Sequence, residues 1–295
     1  MGESEFGVVV AVGPDGVRDG TLEFAAAEAR QRDTGVELVH VVHSLVTVPT
    51  TADQMQSLDS SLLRVGRAVL TDGADRLRAR LDGAVPVSTE ILSGPVAATL
   101  VDRAAERDLV VMERREPDRL ERLLTMSVST RVAAHARAPI VVVPHGWSPA
   151  ATPLPVTVGV DHPIDAAGQV ESAAAYAAAT GRELRILHAM WLAEAYQDTF
   201  FVNHTREQWT AEADLELQQA LEKMGDLGTP TSRVVRWVRP VDALVDATRR
   251  SSVVVLSRRP EPGPHGTHLG PITRAVLRHA EGPVMVVDRT GSEEE

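Results

Sequence analysis

The sequence contains no cysteine and only one lysine, Lys223, among its 295 residues. The lack of cysteine excludes a disulfide scaffold and a thiolate metal site, and it is compatible with the reducing cytoplasm in which we expect the protein to lie. Aromatic residues make up only 3% of the chain, against 43% for all hydrophobic residues. The hydrophobic cores must therefore consist mainly of Val, Leu and Ala.

Long apolar runs are also missing. No uninterrupted run approaches the roughly 20 residues that span a bilayer. The first residues, MGESEFGVVV, lack the basic segment of a secretory signal. The formal net charge is −11, which argues against the basic surface that non-specific nucleic-acid binding requires. We therefore expect neither a membrane nor a nucleic-acid partner.

One pattern occurs twice, in residues 108–144 and 251–288. Each copy has a short apolar run, a polar loop, an amphipathic stretch ending near His-Ala and, after a proline, a valine-rich run. This order predicts strand, loop, helix and strand, the unit of a parallel α/β sheet. In such sheets, the loop after a strand and the helix N-terminus that follows it bind anionic ligands. These two loops are therefore the first candidates for a functional site.

The repetition extends to the remainder of the chain. Residues 10–43 align without a gap with residues 156–189, at an offset of 146 positions. Later segments align at offsets of 145 and 144. The matches follow the order of the predicted elements, which indicates an internal duplication. We expect two α/β domains, 1–146 and 147–295, with a proline-rich linker at about 145–155.

The chain resembles the universal stress protein family in its tandem two-domain form. The resemblance rests on an aspartate after the first strand of each half (Asp15 and Asp161), on the TGxEL turn before strand two, and on the closing segments 127–143 and 271–287. It implies two tandem five-stranded parallel sheets of the Rossmann-like, adenine nucleotide alpha hydrolase-like type, with a ligand crevice at the carboxyl ends of the strands.

Many members of this family bind ATP through glycines spaced G-x2-G-x9-G-S/T after strand four, where glycine lets the backbone approach the phosphates. In the first domain the resemblance places Glu113, Glu116 and Met126 at the glycine positions, and only Ser127 matches. Two carboxylates would repel phosphates. We expect no phosphate cradle there, which leaves Asp15, Ser127 and Val128 as the candidate contacts.

In the second domain the glycine positions are predicted at Leu256, Arg259 and Gly270, with one residue inserted. Pro271 replaces the hydroxyl residue and removes an N–H donor. The resemblance still implies a candidate site for ATP or AMP, although no cofactor is firmly indicated. Its residues are Asp161 for ribose hydroxyls, Ala189 and Ile272 beside adenine, Arg258, Arg259 and Arg274 for phosphates, and Leu256, Gly270 and Thr273.

Two of these features have simpler interpretations. Asp15 and Asp161 could simply close the turn after a strand, as Asp commonly does. The histidines of residues 265–268, together with His162, could form a metal site, but no cysteine or carboxylate lies at ligand spacing. We interpret that segment as a solvated loop and expect no metal.

Five of the ten aromatic residues lie between positions 191 and 209. They could cover the core of the second domain, form a lid over the crevice, or form a surface for a protein partner. The fifth strands, 140–143 and 284–287, are valine-rich sheet edges. As the resemblance implies, we expect these edges to pair between the domains and also in a homodimer.

The sequence leaves three functions open. The first is a non-enzymatic regulatory or protective scaffold of the stress response, whose ATP motifs are degenerate. The second is an adenine-nucleotide sensor that binds through the second domain only. The third is a hydrolase, but the sequence offers no base paired with a metal or a nucleophile. We favour the first and keep the second as the alternative.

Overall fold

In the computed structural model the chain divides into two compact units, Met1–Pro149 and Ala150–Glu295. The structure describes residues 5–43, 52–114, 127–162, 166–192, 205–260 and 267–288, without the side chains of 52–59, 259–260 and 267. Within these ranges no helix combines the length and the apolar character needed to cross a membrane.

Strands and helices alternate in both units. The first unit contains β1 (Val8–Ala11), α1 (Asp19–Arg32), β2 (Val36–Val42), α2 (Ala52–Leu81), β3 (Val87–Ser93), α3 (Val96–Ala104), β4 (Leu109–Arg114), α4 (Val128–His135) and β5 (Ile140–Pro144). The second contains β6 (Val156–Val160), α5 (Ala167–Ala179), β7 (Leu184–Met190), α6 (Arg206–Met224), β8 (Thr231–Trp237), α7 (Pro240–Thr248), β9 (Val253–Ser257), β10 (Arg259–Pro260), β11 (Thr267–His268), α8 (Pro271–His279) and β12 (Val284–Val287).

Each unit has a parallel sheet of five strands. Their order is β3-β2-β1-β4-β5 in the first unit and β12-β9-β6-β7-β8 in the second. Every adjacent pair within these orders is parallel. The short strands β10 and β11 form a separate antiparallel pair. The predicted fold class is thus confirmed, and the strand order reverses between β1 and β4 and between β6 and β9, where such sheets bind ligands.

The central strands are runs of valine because both of their faces are covered. Val8, Val9 and Val10 of β1 are at most 1% exposed, and Val253 to Val255 of β9 are fully buried. Small alanines on α1 and α5 allow these helices to pack closely against the sheet: Ala25 and Ala29 on α1 and Ala173 and Ala177 on α5 are fully buried.

The internal repeat has a different register from the one that the sequence suggests. Val8 pairs with Val36 in the first unit, and Val156 pairs with Leu184 in the second. The Nδ1 atom of His40 lies 2.9 Å from the carbonyl oxygen of Val12, and that of His188 lies 2.9 Å from the carbonyl oxygen of Val160. Both sets of equivalent residues differ by 148 positions, so the predicted offset of 146 is wrong. The structural counterpart of Asp161 is Gly13, not Asp15.

The ends of α1 and α5 explain this error. The left-handed residue that closes the helix is Asp33, with φ of 51°, in the first unit and Gly181, with φ of 61°, in the second. Aspartate adopts this conformation less readily than glycine, but it tolerates it. Gly35 instead serves close packing, since a Cβ on it would lie 2.7 Å from the carbonyl oxygen of Glu5. Matching Gly35 to Gly181 therefore shifted the alignment by two residues.

At the start of α1, Arg18 is the N-cap and Asp19 is the first helical residue, with its carboxylate bonded to Arg76. Within the expected linker at about 145–155, Trp147 packs edge-on against Phe24 of α1 at a ring distance of 6.1 Å. Residues 145–147 therefore belong to the first unit.

Candidate functional site

The second unit has a crevice at the carboxyl ends of β6 and β9, where the strand order reverses. Its volume is about 120 Å³. The lining residues come from the ends of β6, β7 and β9 and from the first turns of α5, α7 and α8; they are Gly159, Val160, Asp161, His162, Ala166, Gln169, Leu187, Ala189, Pro240, Leu244, Leu256, Ser257, Gly270, Pro271, Ile272 and Thr273. The crevice is apolar on its β7 and α7 side and polar towards β6 and α8.

Six of the residues that the sequence predicted for this site line the crevice together. They are Asp161, Ala189, Leu256, Gly270, Ile272 and Thr273. Asp161 is exposed at the end of β6, whereas Thr273 is only 8% exposed. The sheet thus brings an aspartate, apolar side chains and the start of α8 to one place.

The three predicted arginines differ in placement. Arg258 does not line the crevice, since its guanidinium is 1% exposed, donates to Asp288 Oδ1 at 2.8 Å and donates to the carbonyl oxygen of Val286. Burial lowers the pKa of Arg258, and Asp288 opposes that shift. Arg274 is exposed in the first turns of α8. The side chain of Arg259 is outside the described part of the chain.

The N-terminus of α8 carries no side-chain cap. Its N-cap is Gly270, the first helical residue is Pro271, and Gly270 accepts from the N–H of Arg274 through its carbonyl oxygen. The N–H groups of Ile272 and Thr273 therefore have no acceptor within the helix. The N-terminus of α7, which contributes Pro240 to the crevice, also lacks a side-chain cap. Two helix N-termini, each with a partial positive charge, thus face one crevice.

Sequence reasoning missed the residues that shape the floor of this crevice. Gln169 is 4% exposed, and its Nε2 donates to the carbonyl oxygen of Gly159 at 2.8 Å. A Cβ on Gly159 would lie 2.5 Å from a methyl group of Leu244. A buried glutamine one turn into a helix carries no recognisable motif, and its counterpart in the first unit is Thr21. No signal in the sequence could have identified it.

The equivalent positions of the first unit are satisfied by the protein's own groups. Glu113, at the end of β4, accepts from the N–H of Arg18 at 2.9 Å, directly before α1. Its other oxygen lies 2.8 Å from Nδ1 of His145. The side chain of Glu113 is only 13% exposed. A carboxylate therefore already occupies the helix N-terminus at this sheet edge.

Ser127 likewise closes the N-terminus of α4. Its Oγ accepts from the N–H of Thr130 at 3.2 Å and lies within hydrogen-bond distance of the hydroxyls of Ser129 and Thr130. Val128 is an exposed first residue of the helix. Asp15 is an exposed residue in the turn between Gly13 and Gly16. Among the described residues, then, the predicted contacts of the first unit form local turns and caps.

Replacing Ser127 with Ala is expected to lower the free energy of unfolding by about 1 kcal/mol, since it removes the N-cap acceptor. Thermal unfolding should record a Tm lower by a few degrees. Ser127→Asp keeps an acceptor at the N-cap and should retain the stability of the original protein. An unchanged Tm in Ser127→Ala would contradict the role of Ser127 as a cap.

The strand register also revises the glycine positions of the second unit. Glu113 pairs with Val143, and Ser257 pairs with Val287, so Ser257 is the counterpart of Glu113. With the same offset of 144 positions, the motif falls on Ser257, Pro260 and Gly270 and its spacing is intact. The predicted insertion is therefore wrong, and Leu256 is a wall of the crevice rather than a glycine position.

Several predicted features lie outside the described residues. They are Glu116, Met126, Tyr196, Phe200, Phe201 and His265. Within the described ranges no group of three His, Asp or Glu side chains could hold a metal ion.

Comparisons with known proteins agree with this architecture. The model of the universal stress protein family matches residues 7–144 and 154–288. A universal stress protein of Mycolicibacterium smegmatis is 28% identical over 293 residues, covering 96% of this chain and 97% of its own. One from Mycobacterium tuberculosis H37Rv is 26% identical over 303 residues, covering 96% of this chain and 95% of its own. The crystal structure of a universal stress protein from Archaeoglobus fulgidus superposes with a TM-score of 0.67 at 18% identity, covering 96% of this chain and 98% of that one. The chain belongs to the universal stress protein family.

Proposed function

We propose that this universal stress protein acts in regulation by binding, and that only its second unit binds a nucleotide. The ligand that fits best is an adenine mononucleotide such as AMP. This proposal combines the scaffold interpretation of the first unit with the sensor interpretation of the second.

One observation carries the proposal: Ser127 caps the N-terminus of α4 in the first unit, whereas the counterpart helix α8 in the second unit has no side-chain cap. Glu113 and Ser127 supply an anion and a hydroxyl to α1 and α4. Their counterparts, Ser257 and Pro271, line the crevice, and α8 has no side-chain cap. An open helix N-terminus in a partly apolar crevice favours a ligand with both an anionic and an apolar part.

The backbone supports one phosphate better than three. Pro271 lacks the N–H that the first helical residue would otherwise supply, and Pro260 lacks it at the second glycine position. The N–H groups of Ile272 and Thr273 and the hydroxyl of Thr273 remain as donors at the start of α8. The exposed Arg274 adds positive charge nearby. A triphosphate would need further donors from the chain.

The remainder of the crevice suits a nucleoside. Asp161 can accept hydrogen bonds from ribose hydroxyls, because it directly follows β6 at the polar side of the crevice. Leu187, Ala189 and Leu244 provide the apolar surface for a base. Bound AMP would thus have its base against β7 and α7 and its phosphate at α8.

The test is a thermal shift with AMP, compared between the original protein, Asp161→Ala and Asp15→Ala. A ligand at 100 times its Kd stabilises the folded state by about 2.7 kcal/mol, so the original protein should melt several degrees higher. Asp161→Ala should bind at least about tenfold more weakly, since a hydrogen bond to a charged group is worth about 1.5–3 kcal/mol. Asp15→Ala, in the first unit, should bind as the original does. No shift in the original protein would refute the proposal.

Binding without turnover is part of the same proposal. Purified protein incubated with ATP and Mg²⁺ should release no phosphate above the background rate. Sustained release that Asp161→Ala abolishes would instead favour the hydrolase.

We also propose that the edges formed by β5 and β12 mediate pairing in a homodimer. Their valine-rich sequences support this, because unpaired apolar edges promote association. Light scattering should give twice the chain mass of 31.7 kDa. A monomer at all concentrations would contradict the homodimer.

A further inference from the structure

Trp191 continues the face of β7 that forms one wall of the crevice. Leu187 and Ala189 both line the crevice. Side chains two positions apart on an extended strand point to the same face, and Trp191 directly follows the end of β7 at Met190. Trp191 itself does not line the crevice, and its position past the carboxyl end of β7 places it at the rim, beyond Ala189.

Arg239 brings a cation to the same place. It is the N-cap of α7 and directly precedes Pro240, which lines the crevice. Its guanidinium carbon lies 4.8 Å from the centroid of the Trp191 ring, in a cation–π contact. Among the described residues, no carboxylate forms an ion pair with Arg239. The contact with Trp191 therefore fixes one face of the ring and leaves a positive charge near the crevice mouth.

A simple packing role does not explain this pair. Trp191 is 45% exposed, one of few large hydrophobic side chains in the described part of the chain that remain so open. The first unit, whose crevice positions are filled, has His43 and Pro95 at the equivalent positions. The aromatic ring and the cation thus occur together only in the unit with the open crevice.

We propose that Trp191 binds the base of the nucleotide by stacking, and that Arg239 is a positioning residue that holds the indole ring at the crevice mouth. This inference rests on the proposed function and adds the residues that recognise the base. Aromatic rings stack on any base, so the pair favours nucleotides over sugar phosphates without selecting adenine strictly.

The experiment compares AMP with ribose 5-phosphate, which has the same sugar and phosphate but no base. Affinities are measured by calorimetry for the original protein, Trp191→Ala, Trp191→Phe and Arg239→Gln. Trp191→Ala should bind AMP at least about tenfold more weakly, because the stacking of one base on an aromatic ring raises the affinity by about that factor. Trp191→Phe keeps an aromatic face and should recover most of this loss. The affinity of Arg239→Gln for AMP should lie between those of the original protein and Trp191→Ala.

Ribose 5-phosphate separates base recognition from a general change in the crevice. The original protein, Trp191→Ala and Trp191→Phe should bind it with the same affinity. An equal loss for both ligands in Trp191→Ala, or an unchanged affinity for AMP, would overturn the role of Trp191 while leaving the proposed function intact. If the original protein binds no AMP, both the proposed function and this inference are wrong.

Discussion

Thr273→Asp is expected to weaken AMP binding by at least about 100-fold. Thr273 lines the crevice in the first turn of α8 and is only 8% exposed. A carboxylate there would occupy the open helix N-terminus, as Glu113 does beside α1. Two unit charges 4 Å apart repel by about 4 kcal/mol at an effective dielectric constant of 20, which a bound phosphate could not overcome. Calorimetry with AMP measures the loss.

The neutral variant Thr273→Val provides the matched control. It keeps the shape of the side chain and removes only the hydroxyl, so its affinity for AMP should fall by about tenfold at most. Thr273→Asp should also be at least as stable as the original protein without ligand, since an acidic side chain in the first turn favours the helix. If the aspartate variant bound AMP normally, the phosphate could not lie at α8.

Glu37→Ala is expected to lower the free energy of unfolding by about 3 kcal/mol, because it removes one partner from a buried ion cluster. Glu37 is 5% exposed in β2. It accepts from Nε of Arg103 at 2.8 Å and from Nη2 of Arg107 at 3.3 Å. The hydrogen bond to Glu37 raises the pKa of Arg103. When the carboxylate is lost, the guanidinium still stays charged, because arginine is not deprotonated in proteins.

Glu90→Ala is the control for this cluster. Glu90 accepts from the same Arg103 at 2.6 Å, but its side chain is 41% exposed. Because water can replace an exposed partner, the loss should be at most about 1 kcal/mol. Urea unfolding of both variants measures the difference. Equal losses in the two variants would show that the burial of Glu37 does not determine its contribution.

The sequence was sufficient to predict the fold class, because the repeated strand–helix pattern and the closing segments are local signals. It was not sufficient for the register of the repeat. The left-handed residue at the helix end is Asp33 in the first unit and Gly181 in the second. Gly35, two residues after Asp33, is identical to Gly181 and therefore gives a false match. The pairing of Val8 with Val36 is a long-range contact that no local pattern contains.

The candidate site, like the fold, could be predicted from the sequence only in part. Asp161, Ala189 and Gly270 could be placed from the resemblance because they lie at the end of a strand or at the start of a helix. The position of the Arg258 side chain could not be predicted, because a residue just past a strand can point to either side of the sheet. Here the carbonyl oxygen of Val286 and the carboxylate of Asp288 bind it on the side of β12. The roles of Gln169 and Arg239 could not be predicted either, because each depends on packing partners distant in sequence.

The carboxylate of Glu113 makes the two units differ in a further way. An anion attached to the chain is present at a fixed effective concentration, whatever the supply of free nucleotide. The helix N-terminus that it occupies therefore has the same occupancy in a starved cell and in a growing one. A crevice open to solvent has an occupancy that follows the pool of free ligand. Under the proposed function, the duplication would thus give the chain one half with a constant state and one half whose state varies with metabolism.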